Sequence, residues 1–148
     1  MPTPARALRF AVAVTCIDGR IQDVVREHVR TAFGVDHVDV VTLPGADGAL
    51  AGPGAARSCA LDGIATSRDA HGSEVVAVVG HTDCAGNPGD AARHVRDLHA
   101  AVEWLRTSFP DLVPVGLLVD TDAGRVHDLD TLDPDVLDTQ ARTGGVAS

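Results

Sequence analysis

The segment "EVVAVVGHTDCAG", at residues 74–86, joins an apolar run to a His and a Cys that lie three positions apart. A short run of β-branched residues that ends at a glycine is typical of a buried strand in a parallel sheet. Ligands of open α/β sheets bind beyond the carboxyl ends of the strands, which is where His81 and Cys84 would lie. Taken alone, the segment fits half of a metal site, a thiol nucleophile with its base, or a glycine-rich turn.

The rest of the chain alternates apolar strands with amphipathic helices. The pattern predicts strands at 8–14, 37–43, 74–80 and 114–120, helices at 20–33, about 53–67 and 90–109, and a short returning strand at 125–129. We therefore expect a single α/β domain over residues 1–148, with a mostly parallel central sheet flanked by helices and an antiparallel C-terminal edge strand. Its core should span about 8–130, followed by a C-terminal tail that is partly mobile.

Composition and charge argue against several classes of partner. The 148 residues carry a net charge of −9, and all 12 basic residues are arginines, so a nucleic-acid partner is disfavoured. No apolar segment is long enough to span a membrane, and the N-terminal run lacks the cleavage site of a signal peptide. We expect a cytoplasmic protein, in which three cysteines indicate a metal, catalysis or burial rather than a disulfide framework.

A second chemical motif, "CIDGR" at 16–20, follows the first predicted strand. Because the carboxyl ends of parallel strands share one edge, Cys16 should meet His81 and Cys84 there. Two thiolates and one imidazole are a suitable donor set for Zn²⁺, at about 2.3 Å from sulfur and 2.0–2.1 Å from nitrogen. Three protein ligands leave a fourth position for water, which is the pattern of catalytic zinc sites.

Asp18 and Arg20 alternate with Cys16, so an extended chain would project all three side chains to one side. Asp18 could accept a hydrogen bond from a zinc-bound water, or displace that water and ligate the metal itself. Arg20 would keep Asp18 ionised and oriented through a charge-assisted pair.

Other interpretations of these residues stay open. A lone cysteine is more often a small buried side chain than a ligand, and an isolated Asp–Arg pair on a surface contributes less than about 1 kcal/mol. A phosphatase-type loop needs an Arg six positions after its Cys, where this chain has Gln22 and Asp90. A redox pair formed by Cys16 and Cys84 remains an alternative.

The remaining candidates receive structural roles. Cys59 lies in an apolar-spaced helix and is assigned to the core, Trp104 to helix packing, and Gly80 to a sharp turn at a strand end. The segment "GADGALAGPG" (45–54) lacks the Lys-Ser/Thr signature of a phosphate loop and is interpreted as a loop that lines the site. No partner spacing marks the other histidines, which are His28, His37, His71, His94, His99 and His127.

"CIDGR" followed by "GHTDCAG" resembles the paired C-x-D-x-R and H-x-x-C zinc motifs of the β-class carbonic anhydrases, in particular the short bacterial members. The resemblance covers about residues 8–130 and includes the ending "GLLVDTDAGRVHDL". It implies that Cys16, His81 and Cys84 bind zinc, and that Asp18 and Arg20 form the family's catalytic dyad. The implied reaction is reversible hydration of carbon dioxide to bicarbonate by a zinc-bound hydroxide, in a homodimer or higher homo-oligomer.

The chain departs from the family pattern after the second predicted strand. Residues 42–45 read "TLPG", where the family usually carries Arg-Asn-Ala-Gly. This change in the pocket wall motivates two alternatives. One is a hydrolase of carbonyl sulfide or carbon disulfide, and the other is a non-catalytic zinc or redox domain on the same fold.

Overall fold

Strands and helices alternate along the chain in the computed structural model, which describes residues 1–132. The predicted mobile C-terminal tail lies outside these residues. The elements are β1 (Phe10–Thr15), α1 (Gln22–Phe33), β2 (His37–Thr42), α2 (Ala46–Ala51), α3 (Ala55–His71), β3 (Val75–His81), α4 (Ala91–Ser108), β4 (Val113–Asp120) and β5 (Arg125–Asp128).

The five strands form one sheet in the order β2-β1-β3-β4-β5. The first four are parallel, and β5 returns antiparallel to β4. This confirms the predicted α/β fold with its mostly parallel sheet and antiparallel edge strand. Because β1 and β3 are adjacent and parallel, their carboxyl ends at Thr15 and His81 point to the same edge of the sheet.

Two apolar layers sandwich the sheet because the side chains of each strand alternate between its faces. Helix α1 covers one face with Ile21 before its first turn and with Val25 and Val29. The other face packs against α2, α3 and α4, whose buried residues include Leu50 and Leu98. Within residues 1–132, no helix is both long enough and apolar enough to cross a membrane.

Two local predictions for α2 and α3 were wrong. Residues 45–54 are not simply a loop, because α2 occupies Ala46–Ala51. Cys59 is exposed on α3 rather than buried in the core. Small residues occur all round this helix, so apolar spacing alone did not distinguish its buried face, which carries Ala60 and Ile64.

Candidate metal centre

Three buried donors converge beyond the ends of β1 and β3. The side-chain donor atoms of Cys16, His81 and Cys84 all lie within 4.8 Å of one another, and the three residues are 4%, 1% and 3% exposed. The two sulfur atoms are 3.9 Å apart. Two Zn–S bonds of about 2.3 Å at a tetrahedral angle would place the sulfurs about 3.8 Å apart. The spacing therefore suits a shared metal ion.

Hydrogen bonds to one ring nitrogen orient His81 towards the sulfurs. Its Nδ1 lies 2.8 Å from the carbonyl oxygen of Thr82 and 3.1 Å from Oγ1 of Thr121. The Thr82 carbonyl oxygen can only accept, and Thr121 Oγ1 already donates its own hydrogen to that carbonyl. Nδ1 must therefore carry the proton and donate. The other nitrogen, Nε2, is buried and has no hydrogen-bond partner among residues 1–132. A metal ligand needs this tautomer, with a free lone pair on Nε2.

Burial and a neighbouring thiol shape the chemistry of the two cysteines. Burial raises the pKa of the Cys84 thiol, and the nearby Cys16 raises it further. The backbone N–H of Gly45 points at Cys16 Sγ, at 3.4 Å. Two thiolates this close repel each other in a buried site unless a cation lies between them, so the pair favours a metal ion.

Asp18 stands beside the three donors and is held by Arg20. Asp18 Oδ2 lies 4.0 Å from His81 Nε2, close to the face on which the three donors converge. Hydrogen bonds from the side chain and the backbone N–H of Arg20 lower the pKa of Asp18 to about 2. The same pairing, with a further bond to Asp83, raises the pKa of the Arg20 guanidinium. The carboxylate is thus ionised and oriented.

Gln22 is a residue of the site that the sequence did not single out. Its Nε2 donates to the carbonyl oxygens of Cys16 at 2.7 Å and Asp18 at 2.9 Å, and so fixes the loop that carries both side chains. Glutamine at the start of a helix has no distinctive spacing, so only the fold reveals this contact. All five site residues predicted from the sequence are brought together at one edge.

These residues fit a metal ion on three counts. Each of the three converging side chains offers a type of donor that metals favour, and the ionised carboxylate of Asp18 lies alongside. In the described part of the chain, the buried Nε2 of His81 has no hydrogen-bond partner. The donor set of two sulfurs and one nitrogen is typical of soft or borderline ions. Cys16, His81 and Cys84 could therefore hold a metal ion.

Comparisons with known proteins identify the sequence family and the fold of this chain. A family model described as "Putative carbonic anhydrase" matches residues 6–129. A carbonic anhydrase from Streptococcus mutans shares the fold with a TM-score of 0.58 at 19% identity, over 86% of this chain and 87% of that one. A β-carbonic anhydrase from Trichomonas vaginalis gives 0.57 at 16% identity, over 87% of each chain.

A third similar structure is the apo form of a carbon disulfide hydrolase, with a TM-score of 0.57 at 15% identity over 85% of this chain and 80% of that one. No curated protein matches the chain at a significant level. At such identities the structural likeness shows the fold, whereas the family model covers most of the sequence and both cysteine motifs. The chain therefore belongs to the family described as "Putative carbonic anhydrase".

Proposed function

We propose that this protein is a zinc-dependent carbonic anhydrase, which reversibly hydrates carbon dioxide to bicarbonate. Cys16, His81 and Cys84 would hold the zinc ion, and Asp18 with Arg20 would form the catalytic dyad. One observation carries the proposal. Buried His81 has a ring nitrogen within 4.8 Å of two cysteine sulfurs, and its Nε2, which has no hydrogen-bond partner within residues 1–132, lies 4.0 Å from the ionised carboxylate of Asp18.

Zinc supplies a Lewis acid that makes water acidic enough to act as a nucleophile near neutral pH. Asp18 contributes orientation, because Oδ2 faces the donors and can accept a hydrogen bond from a water there. Arg20 Nη2 donates to this Oδ2 atom at 2.8 Å, and Arg20 Nε donates to Oδ1. The carboxylate could rotate only if these hydrogen bonds broke. The dyad thus fixes the direction from which water approaches carbon dioxide.

A second candidate is the hydrolysis of carbonyl sulfide or carbon disulfide. It is favoured by the Thr-Leu-Pro-Gly sequence at 42–45. This segment contacts the site, because the backbone N–H of Gly45 donates a hydrogen bond to Cys16 Sγ. Replacing the charged and amide side chains of the family pattern by Thr42 and Leu43 makes this part of the chain less polar. Less polar surroundings near the site would suit a sulfur-containing linear substrate.

A third candidate is a zinc or redox domain without catalytic activity. It is supported by the two free cysteines whose sulfurs are 3.9 Å apart. In this case Cys16→Ser would change stability or assembly, while the wild-type protein would hydrate no carbon dioxide at any pH.

Assembly, location and domain extent complete the proposal. We expect a homodimer or higher homo-oligomer, as the resemblance to the β-class carbonic anhydrases implies. A cytoplasmic location and a single domain over 1–148 belong to the same proposal.

The decisive experiment combines metal analysis with stopped-flow assays across pH. The proposal expects about one zinc ion per chain and turnover of carbon dioxide that exceeds turnover of carbonyl sulfide and carbon disulfide. The reverse preference would select the hydrolase. Zinc without turnover of any of these substrates would select the non-catalytic domain, and absence of a bound transition metal would contradict the metal centre itself.

A further inference from the structure

A second buried polar cluster lies on the opposite face of β3 from the three metal-site donors. Asp47 and His94 are each 1% exposed, and His94 Nδ1 lies 2.6 Å from Asp47 Oδ2. The other carboxylate oxygen of Asp47 accepts hydrogen bonds from the backbone N–H of Gly48 at 2.8 Å and from Asn87 Nδ2 at 3.0 Å. A buried polar side chain is costly unless it is hydrogen-bonded, so its partners Gly48, Asn87 and His94 hold Asp47 in place.

This cluster connects three separate parts of the chain. Asp47 lies in the first turn of α2, His94 lies on α4, and Asn87 lies in the loop that carries Cys84. Asn87 Nδ2 also donates to Asp97 Oδ2, at 2.9 Å, so both of its amide hydrogens have an acceptor. Asn87, three residues after Cys84, therefore attaches the loop after β3 to both α2 and α4.

The same carboxylate lies directly against the strand that ends at His81. A Cβ atom on Gly80 would fall 2.4 Å from Asp47 Oδ2, so only glycine admits this approach. Gly80 was expected to permit a turn, but its φ is not positive, and its small size makes room for Asp47 instead. Asp47 therefore sets the position of the backbone one residue before the histidine donor.

A further close contact links this loop to Cys16. A Cβ on Gly45 would lie 2.5 Å from the carbonyl carbon of Gly86, and a Cβ on Gly86 would lie 2.5 Å from the nitrogen of Gly45. The backbones of the two loops thus touch, and the touching Gly45 donates its N–H to Cys16 Sγ. The bond between Asn87 and Asp47 holds this pair of loops together.

We propose that Asp47, with Asn87 and His94, is a positioning device for the metal centre. It fixes three parts of the site relative to one another: the loop that carries Cys84, the end of β3 at His81, and the backbone N–H of Gly45 that donates to Cys16 Sγ. The inference rests on the metal-binding role given above to Cys16, His81 and Cys84. Partners that orient metal ligands in this way usually change metal affinity by about 10–100-fold when they are removed.

The test compares variants of the cluster with a core truncation on α4, the helix that carries His94. Asn87→Ala removes its bond to Asp47, and Asp47→Asn replaces one acceptor oxygen of the cluster by an NH2 group that cannot accept. Leu105→Ala removes buried apolar contacts on α4 outside the cluster. Asp97→Asn alters the second acceptor of Asn87 and a 3.8 Å pair with Arg93 at a partly exposed position, so it serves if either buried variant fails to fold. Zinc affinity is measured by chelator competition, and the absorption of the cobalt-substituted protein reports the thiolate–metal geometry.

The cluster variants are expected to weaken zinc binding at least about tenfold and to change the cobalt absorption bands. Leu105→Ala should lower the melting temperature while its zinc affinity and cobalt spectrum stay close to those of the wild type. Asp97→Asn should give a smaller effect in the same direction as Asn87→Ala. Variants that only lose thermal stability, as Leu105→Ala does, would overturn the proposal.

A metal-free measurement separates this proposal from the proposed function. In the apo-protein, Asn87→Ala should accelerate alkylation of Cys84, because the loop is no longer fastened, while exposed Cys59 reacts at the same rate in every variant. This result stands even if the wild type proves inactive towards carbon dioxide. Unchanged Cys84 reactivity in Asn87→Ala would refute the positioning role whatever the enzyme's substrate.

Discussion

Arg20 holds both carboxylate oxygens of Asp18 at the edge of the candidate metal centre. Its Nη2 lies 2.8 Å from Oδ2, its Nε lies 3.1 Å from Oδ1, and its backbone N–H donates to Oδ1 at 2.9 Å. A carboxylate bound at both oxygens cannot rotate freely, so the direction of Oδ2 depends on Arg20.

Arg20→Ala should therefore lower turnover of carbon dioxide by about 10–100-fold while zinc content stays near that of the wild type. Asp18→Ala should give a loss of similar size, because the arginine acts through the carboxylate. In the double variant the two losses should not add, which is the signature of residues that work as a unit. Stopped-flow rates and zinc analysis on the same samples measure both quantities.

Arg26→Ala is the matched control, since Arg26 is an exposed arginine on α1 whose contact with Asp23 is a loose 3.7 Å pair. It should keep wild-type turnover. Additive losses from Arg20→Ala and Asp18→Ala would show that Arg20 does not act through Asp18.

Cys84→Ala should abolish stable zinc binding, because two remaining protein ligands seldom hold the ion tightly. Cys59→Ser is the comparison, since Cys59 is also a free cysteine but is exposed on α3. Zinc per chain after dialysis should fall close to zero in the first variant and match the wild type in the second. Retention of zinc by Cys84→Ala would remove Cys84 from the ligand set.

The arrangement of strands and donors could be predicted because its signals are local. Runs of β-branched residues marked β1 and β3, and parallel pairing forces their carboxyl ends to one edge, which brought Cys16 to His81 and Cys84. The short apolar run 75–79 therefore determined both the sheet and the place of the candidate site.

The second polar cluster could not be predicted, because its members are distant in sequence and follow no period. Asp47 and His94 are 47 positions apart, and their pairing depends on how α2 and α4 pack over the sheet. The local sequence predicted a loop where Asp47 lies on a helix, because "GADGALAGPG" is rich in glycine and other small residues. The prediction that Cys59 is buried was wrong for a related reason, because the sequence of a helix rich in small residues shows no clear buried face.

Asp36 gives a prediction about pH that is independent of the metal centre. Its carboxylate accepts the backbone N–H of Arg9 at 2.8 Å and pairs with the side chain of Arg6, and these contacts lower its pKa. A carboxylate whose pKa is lower in the folded state stabilises the protein above its unfolded pKa of about 3.9. That stabilisation is lost as the pH falls below this value and through the lower folded pKa.

Asp36→Asn should therefore be less stable than the wild type at pH 6, and the difference should shrink as the pH falls below about 4. Urea unfolding at a series of pH values measures it. Asp122→Asn, at an exposed turn position, should show no comparable pH-dependent difference. A gap between Asp36→Asn and the wild type that stays constant down to pH 2 would contradict the assigned contacts.

Gly45→Ala tests the close approach of the two loops beside Cys16. Gly45 has a φ of 60°, a conformation that costs other residues about 1–2 kcal/mol, and its new Cβ would lie 2.5 Å from the Gly86 backbone. The variant should lose at least about 2 kcal/mol in urea unfolding. Gly52→Ala has an extended backbone and open space around its Cβ, so its stability should stay within about 0.5 kcal/mol of the wild type. Equal stability of the two variants would mean that the loops do not touch at Gly45.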